Sequence, residues 1–276
     1  MDVEKMNIMQ RDTKIHSTKI KLLVTMACAM LYLAGCANVP PNTVNNLDDL
    51  KGKKIGVQLK TTGDIYSSDI ENATVERFNN GHDAILALRD GKIDAVMLDN
   101  GPANVFVKEF EDIRLLDEPY ADEEYGVAVN KENTELLDKI NETLSILKSE
   151  GVIDMITDKW LNNKVDDTAY DGQNSTSYAN GTLVMATNAE FPPYESITGE
   201  GKIIGIDVDI MKAVCDKLDM KLQVEHTSFD SLLASVERKT ADVAVAAITI
   251  NEERLTHVNF SNAYMKAKQV IIVRAD

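Results

Sequence analysis

Two short stretches hold the residues best suited to chemistry. In "AAITINEERL", residues 246–255, an apolar run emerges into small side chains, a threonine and an acidic turn that carries an arginine. Arg254 offers a fork that matches a carboxylate in bidentate fashion, and Thr249 offers a hydroxyl. Ala246 and Ala247 are small enough to leave backbone groups open. In "IDAVML", residues 93–98, an apolar run leads directly into Asp99, a lone carboxylate. Ligands of open α/β sheets gather at the carboxyl ends of strands. A cation fork at one such end and an anion at another suit a zwitterion held between them. Ordinary readings exist for both: Arg254 reads equally well as a solvated surface charge, and Asp99 as the cap of a helix beginning near Pro102.

The elements that must position these residues alternate. "KKIGVQ" (53–58) reads as a buried strand, "HDAILALRDGK" (82–92) as a helix ending at a glycine, and "IDAVML" as a second strand. "PANVFVKEF" (102–110) follows as a helix with Pro102 near its first turn, then "IRLL" (113–116) and "YGVAVN" (125–130) as strands. A long helix starts near Asn133 and Thr134, carries the stripe Leu136, Leu137, Ile140, Leu144 and Leu147, and stops at Gly151. "VIDMITDKWL" (152–161) is a further amphipathic helix. Residues 162–181, "NNKVDDTAYDGQNSTSYANG", show no apolar periodicity and read as a linker, unusually long for a loop inside a compact domain. The alternation then restarts with "TLVMAT" (strand), "DIMKAVCDKL" (helix), "KLQVEH" (strand) and "SLLASVERK" (helix). "ADVAVAAITI" reads as one long buried strand and "QVIIVRAD" as a last one. This order predicts two α/β units, each a mostly parallel sheet flanked by helices.

Composition narrows the class. The 276-residue chain is 44% hydrophobic and 27% charged, which permits a sizeable core and argues against global disorder. A net charge of −16 with no basic stripe argues against a nucleic-acid partner. His16, His82, His226 and His257 have no mutual metal spacing, so no metal or cofactor is expected. Cys215 falls on the apolar face with Met211, Val214 and Leu218 and reads as core. Lys14, Lys19 and Lys21 precede the apolar run Leu22–Leu33, which is shorter than the roughly 20 residues of a membrane span. Residues 1–35 are therefore read as a signal peptide. "LAGC" resembles a bacterial lipobox, which implies a lipid on Cys36, a tether over 36–46 and anchoring on the extracytoplasmic face of the membrane.

Several longer motifs carry a resemblance. "LVMATNAEFPPYES", "GIDVDIMKAV", "FDSLLASV" and "ADVAVAAITINEERLTHVNFSNAY" make residues 182–276 similar to the first part of the polar amino-acid solute-binding proteins of ABC importers. "LDDLKGKKIGVQLKTTGDIYS", "GKIDAVMLDN", "EEYGVAVNKEN" and "GVIDMITDKWL" make residues 47–161 resemble the remainder of that family. The order is reversed, so the chain resembles a circular permutant in which 162–181 joins the family's usual ends. The resemblance implies a two-lobed Venus-flytrap fold, with 47–125 as the family's second lobe and 126–276 as its first. The permuted ends would fall at one of two crossovers between lobes, leaving one covalent crossing near "EPYADEEYG".

By the same resemblance, Arg254 would grip an α-carboxylate with Thr249 and Thr62, and Asp99 would pair with the α-ammonium beside the Ala247 backbone. Phe191 and Phe229 would sandwich the ligand's side chain, and Asn188, Gln58, Glu190 and Leu98 would lie at or near positions that set its preference. Taken singly, Phe191 and Phe229 could be plain core, Thr62 and Thr249 ordinary turn and strand hydroxyls, and Asn188, Gln58 and Glu190 solvated. Lys60 stands where the family commonly has glycine, and Asn188 where members with basic ligands often have aspartate. The function implied is a lipid-anchored, monomeric receptor, not an enzyme, that passes a polar amino acid, basic or amide, to a membrane permease. The alternative is a secreted dehydratase of a prephenate-like acid, with acid or base candidates Glu190, Glu195 and Asp99.

Overall fold

A computed structural model describes residues 39–162 and 177–275. The chain clusters into two units, 1–40 and 41–276, and all that follows concerns the second. Cys36, the apolar leader and linker residues 163–176 lie outside the described residues.

The unit opens with a 3-10 turn at Leu47–Leu50. Then come β1 (Lys54–Gln58), α1 (Thr62–Ser68), β2 (Thr74–Phe78), α2 (Gly81–Arg89) and β3 (Ala95–Asp99). Next are α3 (Asn100–Glu109), β4 (Ile113–Leu115), β5 (Ala121–Tyr125), β6 (Ala128–Val129), α4 (Thr134–Ser149) and α5 (Val152–Leu161). Past the linker run β7 (Thr182–Thr187), β8 (Glu190–Phe191), β9 (Glu195–Ile197), β10 (Ile203–Ile204) and α6 (Ile206–Lys217). The chain continues through β11 (Lys221–His226), α7 (Leu232–Glu237), β12 (Val243–Ala244), α8 (Glu252–Leu255), β13 (Asn259–Phe260) and β14 (Met265–Arg274).

Two main sheets result. One has the order β2-β1-β3-β14-β4 with β5 beside β14, the other β11-β7-β12-β6-β13. A small antiparallel sheet β10-β9-β8 flanks the second sequence half. The fold is α/β as expected, and each main sheet is mostly parallel with one strand reversed, β14 in the first and β6 in the second. β1 runs parallel to β2 and β3, whereas β14 is antiparallel to β3, β4 and β5. Likewise β7 is parallel to β11 and β12, while β6 is antiparallel to β12 and β13. The antiparallel strands are those that pass between sheets without a returning helix.

That topology corrects the expected boundary. Residues 265–274 were assigned to the 126–276 lobe, yet β14 sits in the sheet of residues 47–125. The chain therefore crosses between sheets twice, from β5 to β6 and from β13 to β14, and β5 pairs with β14 at the crossing. The long strand expected over 241–250 also shortens to Val243–Ala244. Ala247 adopts a left-handed φ of +47°, which a strand cannot accommodate, so residues 245–248 leave the ladder while staying buried.

Local signals account for much of the rest. β3 is buried at every residue because helices cover its sheet. Asn133 caps α4 by accepting from the Leu136 amide, and Gly151 at φ +72° both ends α4 and starts α5. Cys215 is buried on α6, and burial pushes its thiol up to about 12.

Candidate functional site

Arg254 owes its position to Asn251, whose side chain accepts from the Arg254 amide at 2.9 Å and caps α8. Arg254 is 6% exposed. Its Nη1 donates to the Thr249 carbonyl at 2.8 Å and its Nη2 to the Lys60 carbonyl, across on the other lobe, at 3.1 Å. Its Cζ lies 5.5 Å from the Phe229 ring centre. Burial lowers its affinity for its proton, opposed by the charges of Glu123, Asp99 and Glu253. Arg254 is thus a buried cation within the reach of carboxylates, not the solvated charge that its neighbours suggested.

Asp99 ends β3 and occupies the cap position of α3, but its side chain makes no capping bond. The carboxylate accepts instead from the Tyr125 hydroxyl and the Gln269 amide. β14 places Gln269 opposite Asp99 in register, and β5 delivers Tyr125. Burial, reinforced by the charge of Glu123, pushes the Asp99 carboxyl up to about 7. The Gln269 amide also donates to Thr62 Oγ1 at 3.2 Å and Glu123 Oε2 at 3.0 Å, so one buried amide organises three oxygens.

These groups meet at a cavity of about 10 Å³. Eight of the nine ligand-site candidates line it, all but Asn188, and Thr61 joins them. Gln58, Thr61, Thr62 and Asp99 come from the lobe of β1–β5 and β14, and the remainder from the other lobe. Asn188 stands one step back: its Oδ1 accepts from Gln58 Nε2 at 3.1 Å while its Nδ2 donates to the Thr227 carbonyl at 3.0 Å. Glu190 is exposed, and Leu98 is buried in the core beside Gly81. Ala247 does line the cavity, but its amide already donates to Asp207 Oδ2 at 2.7 Å, so that N–H is not open to a ligand.

Beneath the cavity lies a layer of which the sequence points only to Glu195. Glu195 and Asp207 are fully buried. Burial and the neighbouring Asp207 hold the Glu195 carboxyl well above its usual range, and burial raises Asp207 to about 6. Gly205, at φ +146°, leads into α6, and a Cβ there would lie 2.0 Å from the Tyr194 carbonyl oxygen. Glu195, one of the acid candidates, is therefore packed behind the cavity and does not line it. Glu123 and Tyr125 fall on the buried side of β5, but "ADEEY" carries no apolar alternation that would mark Glu123 as buried.

A second cavity of about 520 Å³ shares Phe229 and Arg254 with the first and widens toward Lys60, Asp64, Arg77 and Asp230.

Two α/β sheets, joined by paired crossing strands and closing a buried cation and a buried carboxylate on one cavity, define a two-lobed α/β architecture with a charged cavity between the lobes. Within it, residues 183–276 match the family model of the bacterial extracellular solute-binding proteins, family 3. A probable histidine-binding protein of Neisseria gonorrhoeae is 35% identical over 32% of this chain and 33% of its own. The L-cystine-binding protein TcyJ of Escherichia coli is 31% identical over 43% of this chain and 46% of its own. The arginine-binding extracellular protein ArtP of Bacillus subtilis is 32% identical over 34% of this chain and 36% of its own. The chain thus spans between a third and just under half the length of these curated relatives.

Proposed function

We propose that this protein captures a free amino acid between its two lobes and presents it to the permease of an ABC importer. The convergence of Arg254 and Asp99 from opposite lobes on one cavity carries the reading. Charges of opposite sign, both buried, match the α-carboxylate and α-ammonium of an amino acid, with Thr62 and Thr249 as hydroxyl partners. The named relatives are binding proteins for histidine, cystine and arginine. A prephenate-like acid carries no ammonium for Asp99, and with Glu190 exposed and Glu195 packed away, the dehydratase alternative has little to work with.

Capture works by opening and closing. A cavity of about 10 Å³ admits at most one water. An amino acid enters only when the lobes part, which breaks the Gln58–Asn188 bond and the Arg254–Lys60 bond. On closure a ligand carboxylate replaces the neutral carbonyl partners of Arg254, and such charge-assisted bonds are about twice as strong as neutral ones. The short segments between β5 and β6 and between β13 and β14 are the hinge.

Circular permutation, a lipid on Cys36 and a monomeric state at the membrane surface belong to the same proposal. Supporting the permutation, Arg114 Nη2 donates to Asn45 Oδ1 at 3.2 Å, and Arg114 pairs in register with Val273. The start of the unit and the end of β14 therefore both flank β4, where a short loop would restore the family's order. A thermal-shift screen against the twenty amino acids tests the function: a saturating ligand at a hundredfold excess over Kd stabilises by about 2.7 kcal/mol. One or a few polar hits, lost in Arg254→Ala, are expected; a folded protein silent to all twenty would overturn capture.

A further inference from the structure

We infer that the captured amino acid has a neutral, hydrogen-bonding side chain, read by Gln58 in a pose set by Asn188. This rests on the amino-acid reading above and narrows it. Among the described residues lining the cavity, Arg254 and Asp99 alone are charged, and each is matched by one main-chain charge of the ligand. A cationic side chain would then be enclosed with no counter-ion, and an anionic one would compete for Arg254. Either leaves an uncompensated buried charge, which is far more costly than burying a paired one.

The nearby carboxylates do not supply the missing charge. Asp207 is engaged by the Ala247 amide, Glu123 accepts from the Gln269 amide at 3.0 Å, and neither lines the cavity, while Glu195 is packed beneath it and Glu190 is exposed. In the wider cavity beyond Phe229, Asp64 pairs with Arg77 at 2.8 Å and Glu237 with His257 at 2.9 Å. Asp69, Asp230 and Glu253 are exposed on its rim, where water screens them.

Gln58 is 2% exposed at the end of β1, and both of its amide hydrogens are engaged, by the Asn79 carbonyl at 3.2 Å and Asn188 Oδ1 at 3.1 Å. With both hydrogens engaged, Gln58 has only its Oε1 left to offer a ligand, as an acceptor for an N–H or O–H donor. Phe191 and Phe229 supply flat apolar walls that suit the faces of a carboxamide or a similar planar group.

Titration calorimetry of the full chain at pH 8 tests this. The panel sets glutamine, asparagine, serine, threonine, histidine and citrulline against arginine, lysine, ornithine, glutamate, aspartate and the apolar amino acids. Citrulline and arginine share a shape and differ in charge, so their ratio isolates the effect. The tightest ligand is expected in the neutral, hydrogen-bonding group, with citrulline favoured over arginine by at least roughly tenfold. Asn188→Asp, which sets a carboxylate behind Gln58, is expected to move that ratio toward arginine by about tenfold or more. If the tightest ligand is charged or apolar, this inference fails while amino-acid capture stands. If none of the panel binds a folded protein, capture itself fails.

Discussion

Gln269 and Asp99 face each other in register across β14 and β3, and the Gln269 amide donates to the Asp99 carboxylate. The crossing strand thus holds the anion of the site in place. Gln269→Leu strips a buried donor from Asp99, Thr62 and Glu123 together. Leaving buried acceptors unsatisfied costs about 1–3 kcal/mol, so lower melting temperature and weaker ligand binding are expected together, measured by thermal melts and calorimetry.

Asp99 also predicts a pH dependence. Its folded-state carboxyl titrates near 7, whereas an unfolded aspartate titrates at about 3.9. Between those values the folded state holds a proton that the unfolded state lacks. The stability contributed by this group is complete below the unfolded value and is lost as pH rises through 7. Asp207, raised to about 6, acts in the same direction. Thermal melts should therefore show a higher midpoint at pH 5 than at pH 8, with a smaller difference in Asp99→Asn.

Ligand binding carries the opposite sign. An ammonium beside Asp99 favours the carboxylate, so binding expels a proton. Affinity should fall as pH drops below 7, by up to about tenfold per unit. Calorimetry in buffers of different ionisation enthalpy reads the proton directly; an observed enthalpy independent of buffer would contradict an Asp99–ammonium contact.

Closure has its own probe. Gly101, on α3, faces Tyr194 of the other lobe so closely that a Cβ would lie 2.5 Å from Tyr194 Cε2. Gly101→Ala should spare each lobe but hinder their approach. Weaker binding with little change in melting temperature is expected, along with a larger radius of gyration in solution scattering at saturating ligand.

Lys60 holds φ +66°, its side chain is exposed, and only its carbonyl meets Arg254. A left-handed non-glycine residue costs on the order of 1 kcal/mol, partly offset by the greater freedom of glycine in the unfolded chain. Lys60→Gly should raise the melting temperature by about 2 °C. Ligand affinity should stay within about twofold of wild type, as for other surface changes.

Much of this was legible in the sequence because the signals are local. Helix caps at Asn133 and Gly151, the buried run ending in Asp99 and the acidic turn before Arg254 each follow from neighbouring residues. What escaped depends on partners far along the chain. β14 reads as a strand, but nothing in "QVIIVRAD" says which sheet it joins. Gln269 looks like one polar residue in an apolar strand until Asp99, Thr62 and Glu123, distant in sequence, converge on it. Asn188 reads as a polar residue after a strand, and nothing near it in sequence shows that its side chain accepts from Gln58 of the other lobe. The break in the expected strand at Ala247 could not be read from a residue that normally avoids positive φ.

The most direct test of the central claim uses trimmed ligands. The best amino acid from the screen is titrated beside its α-amide, which lacks the carboxylate charge, and its des-amino analogue, which lacks the ammonium. If Arg254 and Asp99 grip the two main-chain charges, both analogues should bind at least about a hundredfold more weakly, a loss of roughly 2.7 kcal/mol. An analogue that binds as tightly as its parent would contradict the account, and would show that the two buried charges serve the fold and not the ligand.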